Sequence, residues 1–464
     1  MSLLGGARRP YAEVMPWPPG PDAPPPLLLW RWIRRPFEMM NTYHARYGDI
    51  FSLRLFAVPQ GLVVVSDPRA IKDVFALGPD EAHAGEANIV LRPFLGEHSL
   101  LLLDGAEHLR HRKMILPAFH GERMHAYGRT MMELTHDSID RWPVGRRFVV
   151  HRPMQSITLQ VILRTVFGVK EGPLFSQLSE LLAKALDASA WPGLLFPIMQ
   201  HDFGPLSPWG RWMRFRERAS ALVRAEIRKA RDADDPTRTD VLAMMLSAKD
   251  DQGRVLGEDE IHDELVTLLV AGHETTATSL AWALRWILPD ADLTRRLRAE
   301  LEGAGDDPAK IAKLELLDAT VKETLRLQPV IPMVGRVLQK PMNVLGWDLP
   351  PGSVVAPSIH LVHQRPSLYP DPTRFKPERF LDFKPAAWEF LPFGGGLRRC
   401  VGAAFAQYEM KMVLASLLPR VDMRLATDRV RAVRRSITMT PSNGLPVIVT
   451  DKRARRRGAT EKAA

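Results

Sequence analysis

The chain contains the segment Phe393-Gly394-Gly395-Gly396-Leu397-Arg398-Arg399-Cys400-Val401-Gly402, which holds its only cysteine. Three consecutive glycines allow a tight backbone turn, since glycine alone readily tolerates left-handed conformations. Two arginines precede the thiol, and a helical pattern begins after it at Ala403. A cysteine at a helix N-terminus with cationic neighbours is predicted to have a lowered pKa and thiolate character. A thiolate can serve as a nucleophile, a redox centre or a metal ligand, so three roles stay open for Cys400.

The composition is that of a globular protein. Hydrophobic residues make up 45% of the chain and charged residues 25%, both ordinary for a globular fold. A length of 464 residues predicts either several domains or one large, elaborate one. A single cysteine excludes a disulfide framework and a cysteine-rich zinc site, and it fits a reducing compartment.

The formal net charge of +10 has two interpretations. Lys and Arg are spread along the chain, with one dense run at 452–457. This pattern is typical of a solvated basic surface with a disordered tail, but it would also suit docking to an acidic protein or an anionic membrane. No recognised nucleic-acid-binding motif accompanies the charge, so we expect no nucleic-acid partner.

The ends of the chain are predicted to lie outside the main domain. The longest apolar run near the N-terminus, Leu27–Trp30, is followed at once by Arg31. A spanning helix needs about 20 apolar residues, and the pattern of a secretory signal is not present either. We therefore expect a cytoplasmic protein without a transmembrane anchor. The predicted division is a proline-rich leader at 1–31, one domain at 32–451 and a basic tail at 452–464.

The longest helical pattern runs from Glu258 to Leu288, and a helix of that length spans about 45 Å. Its middle reads Ala271-Gly272-His273-Glu274-Thr275-Thr276, which is unusual for a buried helix. The Thr275 hydroxyl can bond the Ala271 carbonyl four residues back and bend the helix, and Glu274 adds an ionisable group there. The zinc-protease pattern is excluded because position 277 is alanine. A tolerated structural kink is the alternative interpretation.

Five segments resemble signature motifs of the cytochrome P450 superfamily, in the family's order and approximate spacing. They are, in chain order, the propionate-binding pair His108-x-x-x-Arg112, the oxygen-activation motif Ala271–Thr276, the Glu-x-x-Arg motif Glu323–Arg326, the segment Pro377–Phe380 and the haem-binding loop Phe393–Gly402. The similar region extends from about residue 33 to 450. The chain resembles soluble bacterial members more than membrane-anchored ones.

The resemblance implies a fold that is mainly α with small β-sheets. It is one large helix-rich domain in which haem b lies between the long central helix and the helix after the cysteine loop. Cys400 would be the axial ligand of the haem iron, with the glycine turn admitting the porphyrin. The further residues implied in cofactor binding are Phe393 and Gly402 in the loop, and His108, Arg112, Arg336 and Arg398 at the propionates. Glu323, Arg326 and Arg379 would form a buried network that fixes the loop.

The implied activity is that of a haem-thiolate monooxygenase, with Glu274 and Thr275 delivering protons during oxygen activation. It would use O2 and two externally supplied electrons to hydroxylate or epoxidise a hydrophobic small molecule, such as a fatty acid, terpenoid, steroid or polyketide. The expected pocket is apolar. Its candidate lining is Ile89, Val90, Phe94, Leu195, Phe196, Leu269, Ala271, Val330, Ile331, Val334 and Leu445.

Other functions are weighed against this one. A cysteine hydrolase would need a histidine paired with Cys400, and a haem sensor would leave Glu274 and Thr275 without a purpose. A haem-thiolate peroxygenase or isomerase is the main alternative. The acid–alcohol pair favours oxygen activation.

An external electron donor is implied because no flavin domain and no Gly-x-Gly-x-x-Gly unit follows residue 450. We expect a ferredoxin or flavodoxin with its NAD(P)H-dependent reductase. By analogy with the family, Arg110, Arg112, Lys113 and Arg399 would help dock this acidic protein. The enzyme itself is expected to be a monomer.

Overall fold

A computed structural model of the chain describes residues 17–455 except 56–60, 120–122, 170–171, 173–174, 182–199, 203 and 205–206. The predicted pocket residues Leu195 and Phe196 lie outside the described residues, as do most of the leader and the end of the tail.

Helices make up most of the described chain. They are α1 (Pro25–Arg34), α2 (Pro36–Tyr47), α3 (Pro68–Ala76), α4 (Ala84–Ala87), α5 (Arg92–Leu95), α6 (Gly105–Ile115), α7 (Arg123–Asp140), α8 (His151–Val166), α9 (Pro208–Ala233), α10 (Val241–Ser247), α11 (Glu258–Ile287), α12 (Ala291–Ala304), α13 (Pro308–Ile311), α14 (Glu315–Leu327), α15 (Ile359–His363), α16 (Arg379–Asp382) and α17 (Ala403–Leu417). Residues 175–181 are also helical. Short 3₁₀ turns lie at Ile89–Leu91, Leu116–Phe119 and Gly396–Arg398.

In the described part of the chain the strands are short, and they form four small sheets. They are β1 (Ile50–Leu53), β2 (Leu62–Val65), β3 (Ala82–His83), β4 (Arg147–Val149), β5 (Arg336–Leu338), β6 (Met342–Val344), β7 (Trp347–Leu349), β8 (Val354–Pro357), β9 (Val421–Leu425), β10 (Ala432–Arg435), β11 (Thr438–Pro441) and β12 (Pro446–Lys452). The sheet orders are β1-β2-β8-β5-β3, β4-β12-β9, β6-β7 and β10-β11. This architecture confirms the predicted fold class.

Helix α11 is long and central, and several other helices pack against it. Its first turn carries three acidic residues, which favour the positive end of the helix dipole, and the Glu260 carboxylate accepts from Gly257 N at 2.7 Å. Beyond that turn its sequence is largely apolar, and most side chains from Leu265 to Leu284 are buried in the main hydrophobic core. Helices α8, α14 and α17 pack against it. The unusual cluster at its middle therefore lies at the centre of the domain.

The described ends of the chain pack on the domain. Helix α1 continues across the predicted boundary at residue 31, and its Leu28 is fully buried. The leader reaches β1, where Ser52 N and Ser52 Oγ donate to the Pro19 and Pro18 carbonyls, each at 2.8 Å. Lys452, where the tail was expected to begin, is the last residue of β12. Among the described residues, none of the helices is both long and apolar enough to cross a bilayer.

Candidate functional site

The cysteine loop ends directly at the start of α17. The Cys400 amide donates to the Phe393 carbonyl at 3.0 Å, which closes the loop on itself. Gly402 is the N-cap of α17, and its amide donates to the Cys400 sulfur. A hydrogen bond from a backbone amide at a helix start stabilises negative charge on that sulfur.

The pKa of Cys400 corrects a prediction. Burial raises the pKa of the thiol above its ordinary value, and it outweighs the Gly402 amide and the positive charges of Arg112 and Arg399. The expected lowering was therefore wrong, because the sequence showed the cationic neighbours but not how the fold encloses the thiol. The side chain is nevertheless exposed, so it borders an open space rather than packed side chains. A thiol so placed is deprotonated by a coordinating metal ion.

The glycines of the loop are required by helix α3. Gly396 has φ +64°, and a Cβ there would lie 2.2 Å from the Phe75 carbonyl oxygen. A Cβ on Gly395 would lie 2.4 Å from the Phe75 ring. These two glycines therefore let the loop pack against α3. This contact with Phe75 explains the absence of a side chain at both positions without reference to a porphyrin.

Three cationic or potentially cationic side chains line one pocket beside the loop: His108 on α6, Arg336 on β5 and Arg398. Burial and the neighbouring arginines lower the pKa of His108 to about 3. Burial, with a further contribution from Arg398, lowers the pKa of Arg336 to about 10. Among the described residues, Asp104 is the one acid paired with this group, accepting from Arg398 at 2.7 Å. The pocket therefore has excess positive charge that an anion would neutralise.

Arg112, the fourth predicted propionate residue, is close enough to Cys400 for its charge to lower the pKa of the thiol. It does not line the pocket that His108, Arg336 and Arg398 share. The structure thus brings three of the four predicted residues together and places the fourth nearer the sulfur.

The middle of α11 is more exposed than the turns of the helix on either side of it. Ala271 is exposed and Thr275 is half-buried, although the flanking turns of the helix are buried. The Thr275 hydroxyl donates to the Ala271 carbonyl at 2.6 Å, which confirms the predicted side-chain bond at this point. This bond occupies the carbonyl and holds the hydroxyl oxygen at the open face of the helix.

Glu274 turns toward α8. Its Oε2 accepts from Gln155 Nε2 at 2.7 Å, and its Oε1 lies 3.7 Å from His151 Nε2. The carboxylate is therefore held one residue before Thr275 by side chains from a neighbouring helix.

Glu323, Arg326 and Arg379 form a buried network. Arg326 donates to both oxygens of Glu323 at 2.7 and 2.8 Å, and neither side chain is exposed. Arg379 Nε adds a third contact to Glu323 at 3.0 Å. The remaining donors of Arg326 bind three carbonyls, that of His363 at the end of α15 and those of Pro372 and Arg374 in the irregular segment that follows it. The network thus ties α14 to the segment that leads into the cysteine loop.

The chain matches the family model described as cytochrome P450 over residues 18–446. The chain belongs to the cytochrome P450 family. It is 40% identical over 439 residues to cytochrome P450 135B1 of Mycobacterium tuberculosis, covering 93% of this chain and 91% of that protein. It is 35% identical over 430 residues to cytochrome P450 135A1 of the same species, covering 92% and 94%. A solved structure described as retinoic acid bound cyanobacterial CYP120A1 aligns with a TM-score of 0.82 and 26% identity, covering 94% of this chain and all of that one.

The site of this cytochrome P450 fits haem b. Membership of the family makes the chain a haem-thiolate monooxygenase. Cys400 supplies an exposed sulfur, Arg336 and Arg398 supply more positive charge than Asp104 offsets, and the neutral His108 supplies a ring N–H that can donate to a propionate. The residues that would hold the group are therefore Cys400 at the iron and the cationic pocket at the propionates.

The predicted substrate-pocket residues that the structure describes separate into three groups. Leu269 and Leu445 are 3% and 0% exposed and pack in the main core, so they are core residues in this structure. Phe94 packs on Trp209 and Trp212 from α9. The residues that remain available to an apolar ligand are Ala271 on α11, the exposed Ile89 and half-buried Val90, and Ile331 and Val334 beyond α14, with Val330 buried beside them.

The sequence interpretation missed two buried residues that connect the site. His363 accepts from Leu391 N at 2.8 Å and donates through Nδ1 to the Arg326 carbonyl at 3.1 Å, so it links the buried network to the residues just before the loop. Glu409 on α17 is fully buried and contacts Thr276 on α11, and burial raises its pKa well above the ordinary value. Glu409 could have been noticed as an acid in an otherwise apolar helical stretch. His363 carried no signal, because its partners are 28 and 37 residues away.

Proposed function

We propose that this cytochrome P450 hydroxylates or epoxidises an apolar small molecule, using O2 and two electrons from a separate protein. The observation that carries this proposal is the middle of α11. There the Thr275 hydroxyl lies at an open face of the helix, and the Glu274 carboxylate accepts a hydrogen bond from Gln155 of α8. A peroxygenase or an isomerase would not need this acid and alcohol, because neither reaction takes protons for O2 reduction.

The residues of the chain have distinct parts in this reaction. Bound haem with a thiolate ligand supplies oxygen activation, since the thiolate favours O–O cleavage. The Thr275 hydroxyl donates to the Ala271 carbonyl, so its oxygen lone pairs can accept hydrogen bonds from water molecules and orient them at the open face. Glu274, the residue before Thr275, supplies a carboxyl group that can accept and release a proton. Cys400, held by Gly402 N, fixes the other side of the site.

Replacement of Thr275 by alanine is expected to leave haem binding unchanged and to uncouple electron use from product formation. The hydroxyl is lost while the apolar surroundings stay the same, so reducing equivalents leave as hydrogen peroxide. Positioned proton donors contribute factors of about 10² to 10⁴, so the product formed per NAD(P)H should fall about tenfold or more. NAD(P)H consumption, peroxide and product are measured with a surrogate ferredoxin and reductase.

The matched control is Ser279→Ala. The Ser279 hydroxyl also bonds a carbonyl four residues back, that of Thr275 at 2.9 Å, but it is 5% exposed and does not face the open space. Coupling should survive in this variant. Equal coupling in Thr275→Ala and the wild-type protein would contradict the proposed role.

The substrate class is proposed from the apolar candidate residues, including Ala271, and from the structural relative described as retinoic acid bound. Long apolar molecules, including fatty acids, terpenoids, steroids and polyketides, are the class we propose. Binding spectra with a long-chain fatty acid, retinoic acid, a monoterpene and a steroid test it. A spin-state shift with at least one of them is expected, and a flat response to all four would argue against the class.

The proposed electron donor is an acidic ferredoxin or flavodoxin. The ion pairs of the predicted docking residues of this chain indicate which of their charges are available to bind it. Arg110 is 13% exposed and paired with Asp250 and Glu260, and Lys113 binds Asp251 at 2.6 Å. Both charges are therefore already neutralised. Arg399 is exposed and has no ion pair among the described residues, so it is the first candidate.

Arg399→Gln is expected to slow reduction by a surrogate ferredoxin at low salt. Lys113→Gln, the matched control, should change the rate little because Asp251 already pairs with that lysine. The difference should shrink near 0.15 M salt, where the Debye length is about 8 Å. Reduction rates that do not depend on salt would count against electrostatic docking.

A monomeric protein located in the cytoplasm remains our expectation.

A further inference from the structure

A polar cavity lies beside the site, between α8, the strands β10 and β11, and the turn Ser442–Gly444. It has a volume of about 460 Å³ and opens to solvent, so it can hold several water molecules. Two side chains of α8, His151 and Gln155, line it. Both of them also contact Glu274 on α11. The cavity is thus connected to the carboxylate by two side chains of one helix.

The two contacts hold the carboxylate in one orientation. Gln155 Nε2 donates to Glu274 Oε2 at 2.7 Å, which leaves Oε1 facing the His151 ring. His151 Nε2 lies 3.7 Å from that oxygen and 3.1 Å from Thr278 Oγ1. A small rotation of the ring, or the Thr278 hydroxyl as a bridge, brings Nε2 within hydrogen-bond reach of Glu274.

Burial, together with one of the charges around the cavity, keeps the His151 ring neutral. Arg152, Arg434 and Arg435 line the same cavity. Burial, together with Arg435, lowers the pKa of His151 to about 4. A neutral imidazole can accept a proton at one nitrogen while it donates from the other. Because a second proton is disfavoured on this ring, a proton that arrives there is passed on rather than stored.

We propose that His151 relays protons from water in this cavity to Glu274, and that Gln155 positions the carboxylate to receive them. The inference rests on the proposed function, in which Glu274 and Thr275 supply protons to oxygen activation. One turnover combines the substrate, O2, two electrons and two protons, and it yields the oxygenated product and one water. In each transfer, a proton from a cavity water binds one nitrogen of His151. The ring then releases the proton on its other nitrogen to Glu274 Oε1.

His151→Gln tests the relay. The glutamine amide can take the place of Nε2 and keep the bond to Thr278, but an amide does not exchange protons as an imidazole does. We expect O2-dependent turnover with NAD(P)H and a surrogate donor to fall about tenfold, with a changed solvent isotope effect. Turnover with hydrogen peroxide should stay within about twofold of wild type, because peroxide carries the protons that O2 reduction needs.

Arg152→Gln is the matched control. Arg152 is exposed and lines the same cavity, whereas Gln155 and His151 are the α8 side chains that hold the Glu274 carboxylate, so both activities should be retained. Wild-type O2-dependent turnover in His151→Gln would overturn the relay. Glu274→Gln separates this failure from that of the proposed function. If Glu274→Gln lowers turnover and His151→Gln does not, only the relay is wrong; if neither does, the proposed role of Glu274 is wrong.

A second readout does not depend on turnover. In protein labelled with ¹⁵N-histidine, nitrogen shifts report which ring nitrogen carries the proton. The contact with Glu274 Oε1 predicts the Nε2–H form for His151 in the wild-type protein, and a shift toward the other form in Glu274→Gln. His151 signals that are identical in the two proteins would contradict the contact on which the relay depends.

Discussion

Cys400→Ser is expected to abolish turnover while the chain stays folded. The chain has no second cysteine, so no other thiol can replace the ligand. A serine hydroxyl is a far weaker acid than a thiol and does not supply the electron density of a thiolate. Haem content, the absorption band of the ferrous carbon monoxide complex and product formation are measured on the purified variant. The band should leave the position typical of thiolate ligation, and product should fall below detection.

The fold should tolerate this substitution because the sulfur makes few contacts. The hydrogen bond from the backbone amide of residue 400 to the Phe393 carbonyl does not involve the side chain. A serine oxygen at this position can still accept a hydrogen bond from Gly402 N. Ser416→Ala, on the helix α17 that follows the cysteine loop, is the control for a small change in side-chain volume. It is 2% exposed and bonds only within α17, so activity should persist. A thiolate-type band in Cys400→Ser would contradict the assignment of Cys400.

The motifs could be predicted because each depends on residues close in sequence. The Thr275 bond to Ala271 spans one helical turn, and the Arg326 bond to Glu323 spans three residues. Both follow from helical periodicity once the helix is recognised. The fold class followed from the order of the motifs.

What could not be predicted depends on contacts between distant segments. The glycines at 395 and 396 are required by Phe75, and Arg398 is paired with Asp104 from another part of the chain. The raised pKa of Cys400 depends on how the fold encloses the thiol among segments that are distant in sequence. Periodicity gives the face on which a residue lies but not the residue that it meets across the core. The same limit applied to Leu269 and Leu445, which are apolar and were equally suited to core or pocket.

Arg326→Ala is expected to prevent accumulation of folded, haem-loaded protein. The substitution leaves Glu323 buried with one remaining charged partner, Arg379, and it removes the donors that bind three carbonyls before the cysteine loop. Breaking a buried ion pair typically destabilises a protein by about 3 to 5 kcal/mol, against a total stability of about 5 to 15 kcal/mol. Yield of soluble protein, haem content and the midpoint of thermal unfolding are compared with wild type.

Arg326→Lys separates geometry from charge at this position. Lysine keeps the positive charge but cannot reproduce two parallel bonds to Glu323 together with bonds to the His363, Pro372 and Arg374 carbonyls. Arg326→Lys should therefore fail nearly as severely as Arg326→Ala. Arg295→Ala is the matched control, because Arg295 also pairs with an acid three residues away, Asp292, but is 71% exposed. That pair should contribute less than about 1 kcal/mol. If Arg326→Lys folded with normal haem content, the network would act through charge alone, and its carbonyl contacts would not be what fixes the segment before the cysteine loop.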